Sequence, residues 1–184
     1  MHRRPLLTLL SDYRERFPDE AETADRIESL VTTHEDCLLR TCEVGHVTAS
    51  AWIIDSERKH ALLTHHRKLD RWLQLGGHVD GEPHVHLAAL REAQEESGME
   101  RFRFLPDGPH PIPIDLDVHP IPARPGEPAH FHHDVRFLLM AEPGQALAIS
   151  DESNDLAWFT PAELALLDTD DSVRRMGRKW LALR

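Results

Sequence analysis

The chain has 184 residues and a mass of 21.1 kDa, a size for one domain with an appendage. It is 40% hydrophobic and 29% charged, ordinary values for a protein with a proper core. Its 21 Lys and Arg against 32 Asp and Glu give a net charge of −11, which argues against a DNA partner bound through a basic footprint. A phosphate-bearing substrate stays compatible with that charge, because bound cations can supply the missing positive charge.

At the N-terminus, His2, Arg3 and Arg4 precede the apolar run PLLTLL. Six residues are too few for a signal-peptide core or a membrane span. The two cysteines, Cys37 and Cys42, are too few for a disulfide framework. These features predict a cytoplasmic protein with reduced thiols and no membrane partner. Leu6, Leu7, Leu9, Leu10, Tyr13 and Phe17 recur at helical spacing over 5–17, and Ile27, Leu30 and Val31 mark a second helix over 19–34. Residues 1–40 therefore read as a helical extension packed on a domain spanning 41–184.

From Gly45 the texture changes. TASAWII, HALLTHH and RWLQL read as strands, the last running into Gly76 and Gly77. A helix is expected over 84–97, stopped by Gly98. Eight of the 13 prolines lie between Pro106 and Pro128, which excludes a long helix there. Two alternating strands emerge in and after this stretch. Ile114, Leu116 and Val118 alternate with Asp115, Asp117 and His119; Phe131, His133, Val135 and Phe137 alternate with His130, His132, Asp134 and Arg136. A strand at LAWF and two closing helices, one opened by Thr160 and Pro161 and one near 171–183, complete the chain.

Within the 84–97 helix, Glu92, Glu95 and Glu96 stand at i, i+3 and i+4, so their carboxylates share one face. Leu87, Leu90, Ala93 and Ser97 are expected on the opposite face, against the sheet, with Ala88 and Ala89 leaving the acidic side uncrowded. Like charges this close repel, and a hard divalent cation among them resolves the conflict. A solvated acidic surface with Arg91 paired to Glu95 is the structural alternative.

The stretch GGHVDGEPHVHLAALREAQEESGM resembles the Nudix box. Gly77 matches its leading glycine, and Arg91, Glu92, Ala93, Glu95, Glu96, Gly98 and Met99 match its second half. Pro83 stands where the family pattern has a glutamate, and Glu82 sits one place early. The resemblance implies an α/β/α sandwich with a mixed sheet, here extended by the N-terminal helices. It implies hydrolysis of a phosphoanhydride bond in a nucleoside diphosphate linked to another group, with Mg²⁺ or Mn²⁺ as cofactor. It assigns Glu92, Glu95 and Glu96 as metal ligands with the Gly77 carbonyl, Arg91 as their orienting residue, and homodimers as a common assembly. A further carboxylate after the box is expected as ligand or base; Glu152 is the candidate and Asp151 the reserve.

On the polar faces of the alternating strands, His119, His130, His132 and Arg136 are expected to contact substrate, Arg136 through a bidentate phosphate grip. His78 is expected near the site, while His65, His66, His84 and His86 read as surface residues. Trp52, Trp72 and Trp158 could stack on a base but fit core packing better. Three other readings compete. An isopentenyl-diphosphate isomerase would place Cys-Gly-His where this chain has Gly76, Gly77 and His78. A non-enzymatic nucleotide-sensing Nudix domain would tend to lose box carboxylates that are present here. A separate transition-metal site among the histidines is compatible with hydrolysis, although HFHH by itself does not close a ligand set.

Overall fold

A computed structural model describes residues 2–108, 110–150 and 153–183. Two helices, α1 (Arg4–Arg16) and α2 (Ala21–Thr33), form where the apolar spacing places them. They are separated by a single 3-10 turn over Pro18–Glu20, opened by a proline with no backbone N–H to donate. The strands β1 (Gly45–Ile54), β2 (Ala61–His66), β3 (Arg71–Leu73) and β4 (Leu75–His78) follow, leading into α3 (Val85–Ser97). Next come β5 (Phe102–Leu105), β6 (Asp115–Ile121), β7 (His130–Ala141) and β8 (Ser153–Phe159), then α4 (Pro161–Leu166) and α5 (Asp171–Ala182). Thr160 and Glu163 form a reciprocal capping box at the start of α4, as the Thr-Pro opening suggests.

Strand β1 is the centre of the eight-stranded mixed sheet found among the described residues. It runs parallel to β7 along its whole length, from Gly45 opposite Phe131 to Ile54 opposite Met140. Its other edge is shared antiparallel by β4 near the start and by β2 near the end. Strands β6 and β5 extend β7, while β3 and β8 extend β2. All ten residues of β1 are buried, because both faces of the strand are covered.

The two faces follow the strand alternation. Val47 and Ala49 of β1 join Val135 and Phe137 of β7 in a cluster with Leu6, Leu10 and Tyr13 of α1, Ile27 and Val31 of α2, and Ala88 and Ala89 of α3. On the opposite face, Trp52, Ile54, Leu138 and Met140 pack against Leu164 of α4 and Val173, Met176 and Trp180 of α5. This is the expected three-layer α/β/α arrangement. Trp52 is wholly buried, and Trp72 and Trp158 lie packed against the core clusters, consistent with structural roles.

Candidate functional site

The floor of α3 is built from small residues. Ala88, Ala89, Ala93 and Ser97 are buried, which lets the helix axis sit close to β1 and β4. This corrects two expectations. Leu87 is exposed rather than packed on the sheet, and Ala88 and Ala89 belong to the core side. Gly98 ends the helix in a left-handed conformation, φ 71°, with its amide donating to the Gln94 carbonyl.

Three consecutive residues of β4 are each met by a side chain of α3. The Gly76 amide donates to Glu96 Oε2 at 3.1 Å. Glu92 fills the space beside Gly77, where an added Cβ would lie 2.6 Å from Oε2. Arg91 Nη2 donates to the His78 carbonyl at 2.7 Å while pairing with Glu92 at 3.0 Å, and Nη1 reaches Glu95 at 3.6 Å. Arg91 is therefore the clamp between helix and strand and holds two of the three acids. Glu92 and Glu96 thus lie against β4 while Glu95 stays beside Arg91. Clustered carboxylate oxygens suit Mg²⁺ or Mn²⁺, and a glycine kept bare beside Glu92 fits a cradle shaped around such an ion.

The loop into α3 differs from the family pattern in sequence and has its own bonding. Asp80 and Gly81 adopt positive φ, the Gly81 amide donates to the Leu38 carbonyl, and Arg40 pairs with Asp80. Glu82 Oε1 accepts from the His84 amide at 2.8 Å, just ahead of the first turn of α3. Glu152 and Asp151 lie outside the described residues.

Across the sheet from α3, the polar face of β6 and β7 is largely sealed. Arg136 is 1% exposed. Its Nε donates to Asp134 at 2.7 Å, and its other nitrogens meet Asp115 at 3.2 Å and Asp117 at 3.3 Å. This corrects the expectation of a bidentate phosphate contact, since three carboxylates already occupy the guanidinium. Asp134 also accepts from Thr48 and Ser50 of β1. Arg175 and Lys179 of α5 reach Asp115, and Arg175 also reaches Asp117. Burial opposes ionisation of Asp117, yet its bond to His119 and the charges of Arg136 and Arg175 hold its carboxyl well below the usual range. The α5 cations of this network gave no sequence signal, because nothing in the order of residues shows that α5 crosses the sheet here.

The histidines separate by face. Gly77 turns toward α3, so the next residue, His78, turns to the opposite face of β4. There it meets His46 at 4.9 Å between ring centroids and His132 at 5.3 Å. His46 lies 4.9 Å from both His130 and His132, and His119 lies 5.6 Å from His132. Sequence reasoning missed His46. Its alternation with Val47 and its parallel pairing opposite His132 place it there. His130, expected to contact substrate from the polar face of β7, is buried, at 5% exposure. Burial, with the other histidines adding to it, pushes His132 well below its usual range; burial and the Arg40 charge lower His78 to about 4. Of the four histidines expected at the surface, His84 is exposed, while His65, His66 and His86 are half-buried.

A family model described as the NUDIX domain matches residues 44–181. Among solved structures, a NUDIX-family hydrolase from Clostridium perfringens is similar with a TM-score of 0.60 and 21% identity, covering 76% of this chain and 98% of that one. An Ap4A hydrolase from C. elegans has a TM-score of 0.59 and 18% identity, covering 74% and 96%. An E. coli dihydroneopterin triphosphate pyrophosphohydrolase has 0.54 and 17%, covering 74% and 95%. At these identities the likeness is one of fold. No curated protein matches the chain.

Proposed function

The chain belongs to the Nudix hydrolase family, and from that premise we propose that it hydrolyses a phosphoanhydride bond in a nucleoside diphosphate linked to another group, using Mg²⁺ or Mn²⁺. One observation carries the reading. Glu92 occupies the volume that any side chain at position 77 would need, while Glu96 accepts from the neighbouring Gly76 amide. A merely solvated acidic face has no reason to press its carboxylates against a bare strand.

In this reading Glu92, Glu95, Glu96 and the Gly77 carbonyl would hold the ion, which would supply positive charge against phosphoryl oxygens and acidify water. Arg91 orients the acids from its anchor on the His78 carbonyl. Glu152, one residue before β8, is assigned to take the proton from the attacking water, on sequence position. His119 is held by Asp117 at 2.9 Å with its side chain 39% exposed, and is assigned to the substrate. Arg136 is reassigned from substrate contact to positioning, since it ties β7 to β6 beneath that histidine. Nucleotide substrates are in keeping with two of the similar folds, the Ap4A hydrolase and a NUDIX domain of Shewanella oneidensis NrtR that binds ADP-ribose (TM-score 0.50, 14% identity). Cys37 and Cys42 are free and buried, in keeping with a reducing cytoplasm. No described helix is long and apolar enough to cross a membrane.

The test is release of phosphate, pyrophosphate or nucleoside monophosphate from a panel of nucleoside triphosphates, nucleotide sugars and dinucleoside polyphosphates. Each is assayed with Mg²⁺, with Mn²⁺ and with EDTA. Turnover that EDTA abolishes and that Glu96→Gln lowers at least 100-fold is expected. Metal-dependent ligand binding without turnover would favour a sensing domain instead.

A further inference from the structure

We propose that His46, His130 and His132, with His78 as fourth donor, form a binding site for a borderline transition-metal dication such as Zn²⁺, on the face of β4 opposite the glutamates. The donor type separates this site from the first. Imidazole nitrogens suit zinc-like ions, whereas carboxylates and carbonyls suit magnesium. The geometry also separates it, because strand alternation turns Gly77 toward α3 and His78 away from it.

One ring nitrogen from each of His46, His130 and His132 lies within 4.8 Å of the others. Nitrogens bound at 2.0–2.1 Å around a tetrahedral zinc stand about 3.3 Å apart, so binding asks the set to contract by about 1.5 Å at most. Three strands supply the ligands, β1, β4 and β7, and the β1–β7 register sets His46 directly opposite His132.

The unbonded nitrogens argue for an ion more strongly than the spacing does. His46 is 2% exposed, and neither of its ring nitrogens has a hydrogen-bond partner among the described residues. The Cys42 carbonyl acts on this ring only from outside ordinary hydrogen-bond geometry. His130 Nδ1 bonds the Pro128 carbonyl at 2.9 Å, which makes it the protonated nitrogen and leaves the lone pair on Nε2, 3.7 Å from Glu127 Oε1. That Nε2 is buried and lacks a hydrogen bond. A backbone carbonyl holding the far nitrogen is the usual support for a metal-ligating histidine. Among the described residues no hydrogen bond joins one ring of the group to another, so a histidine chain does not satisfy these atoms. Burying a polar group unpaired is unfavourable, and a bound ion removes that cost.

The test uses the full-length chain, stripped with a chelator and titrated with Zn²⁺ in competition with a chromophoric chelator. One Zn²⁺ per chain with submicromolar affinity is expected, together with a rise in melting temperature of several degrees in excess Zn²⁺. X-ray absorption should show imidazole nitrogens at about 2.0–2.1 Å. The variants His132→Ala and His130→Gln should each weaken binding at least 100-fold. The second serves if the first fails to fold. Glu92→Gln combined with Glu96→Gln should leave zinc affinity within a factor of three. Failure of the stripped wild type to take up stoichiometric Zn²⁺ would overturn the proposal. So would retention of the ion by both histidine variants, or its loss with the two glutamates. Because the readout is metal content, the outcome is independent of whether the glutamate site hydrolyses anything.

Discussion

Gly76 and Gly77 are adjacent, and alanine at each should fail in a different way. A Cβ at Gly77 would lie 2.6 Å from Glu92 Oε2, about 0.8 Å inside the 3.4 Å at which ordinary contact begins. The obstructing group is the end of a flexible side chain, and moving it off its rotamer costs about 0.5–1.5 kcal/mol. The alanine recovers about 0.4–1 kcal/mol by restricting the unfolded chain. The net stability change for Gly77→Ala is therefore within about 1 kcal/mol of zero. Its effect falls on Glu92, which is pushed out of the cradle, so metal-dependent activity should drop at least 10- to 100-fold. A Cβ at Gly76 instead meets backbone, with the Ala49 carbonyl and the Ser50 Cα both at 2.7 Å. Neither can move without disturbing the β1–β4 pairing, so Gly76→Ala should cost about 1–3 kcal/mol. That corresponds to a fall in melting temperature of about 2–12 °C for a chain of this size. Thermal unfolding and Mg²⁺-dependent turnover, measured on both variants, check the pair. A Gly77→Ala protein with wild-type turnover, or one destabilised as much as Gly76→Ala, would refute the cradle.

Arg136→Met leaves Asp134 buried without its cation, while Arg175 and Lys179 still serve Asp115, so a loss of about 3–5 kcal/mol in urea unfolding is expected. Asp134→Asn in the same chain should recover part of that loss. His133 is 8% exposed, and burial and the Arg26 charge lower its pKa from 6.5 to about 4. The unfolded chain binds this proton more readily. Stability is therefore complete above pH 6.5 and falls as the pH drops toward 4, by up to about 3 kcal/mol from this group. Substituting His133→Gln should make that limb of a pH series of urea midpoints shallower, His78 and His132 supplying the remainder. Arg91→Lys keeps the charge but loses the fork that spans the His78 carbonyl and two carboxylates. Its turnover should fall at least 10-fold with the fold intact by circular dichroism.

Much of the architecture was legible because its signals are local. The α1 and α2 spacings, the Gly98 stop and the Thr160 capping box each act within a turn or two of helix. The acid set on α3 was legible for the same reason, since i and i+4 share a face in any helix. Non-local pairing was not. Nothing in the order of residues says that β1 runs parallel to β7, and that register alone brings His46 to His132 and Thr48 and Ser50 to Asp134. Arg136 was misread for a related reason. Alternation correctly put it on a polar face, but whether that face meets solvent depends on α5 lying across it. Leu87 shows the complementary error: an apolar residue at the right phase is exposed because small alanines, not leucines, set the distance of α3 from the sheet.

Hydrolysis in ¹⁸O-labelled water, with Mg²⁺ as sole added metal, tests the central claim most directly. Wild-type chain acting on its best panel substrate should place one ¹⁸O in a single product phosphate, and Glu96→Gln should lower that rate at least 100-fold while melting near the wild type. Incorporation at an undiminished rate in Glu96→Gln, or substrate conversion without ¹⁸O in a phosphate, would contradict the account.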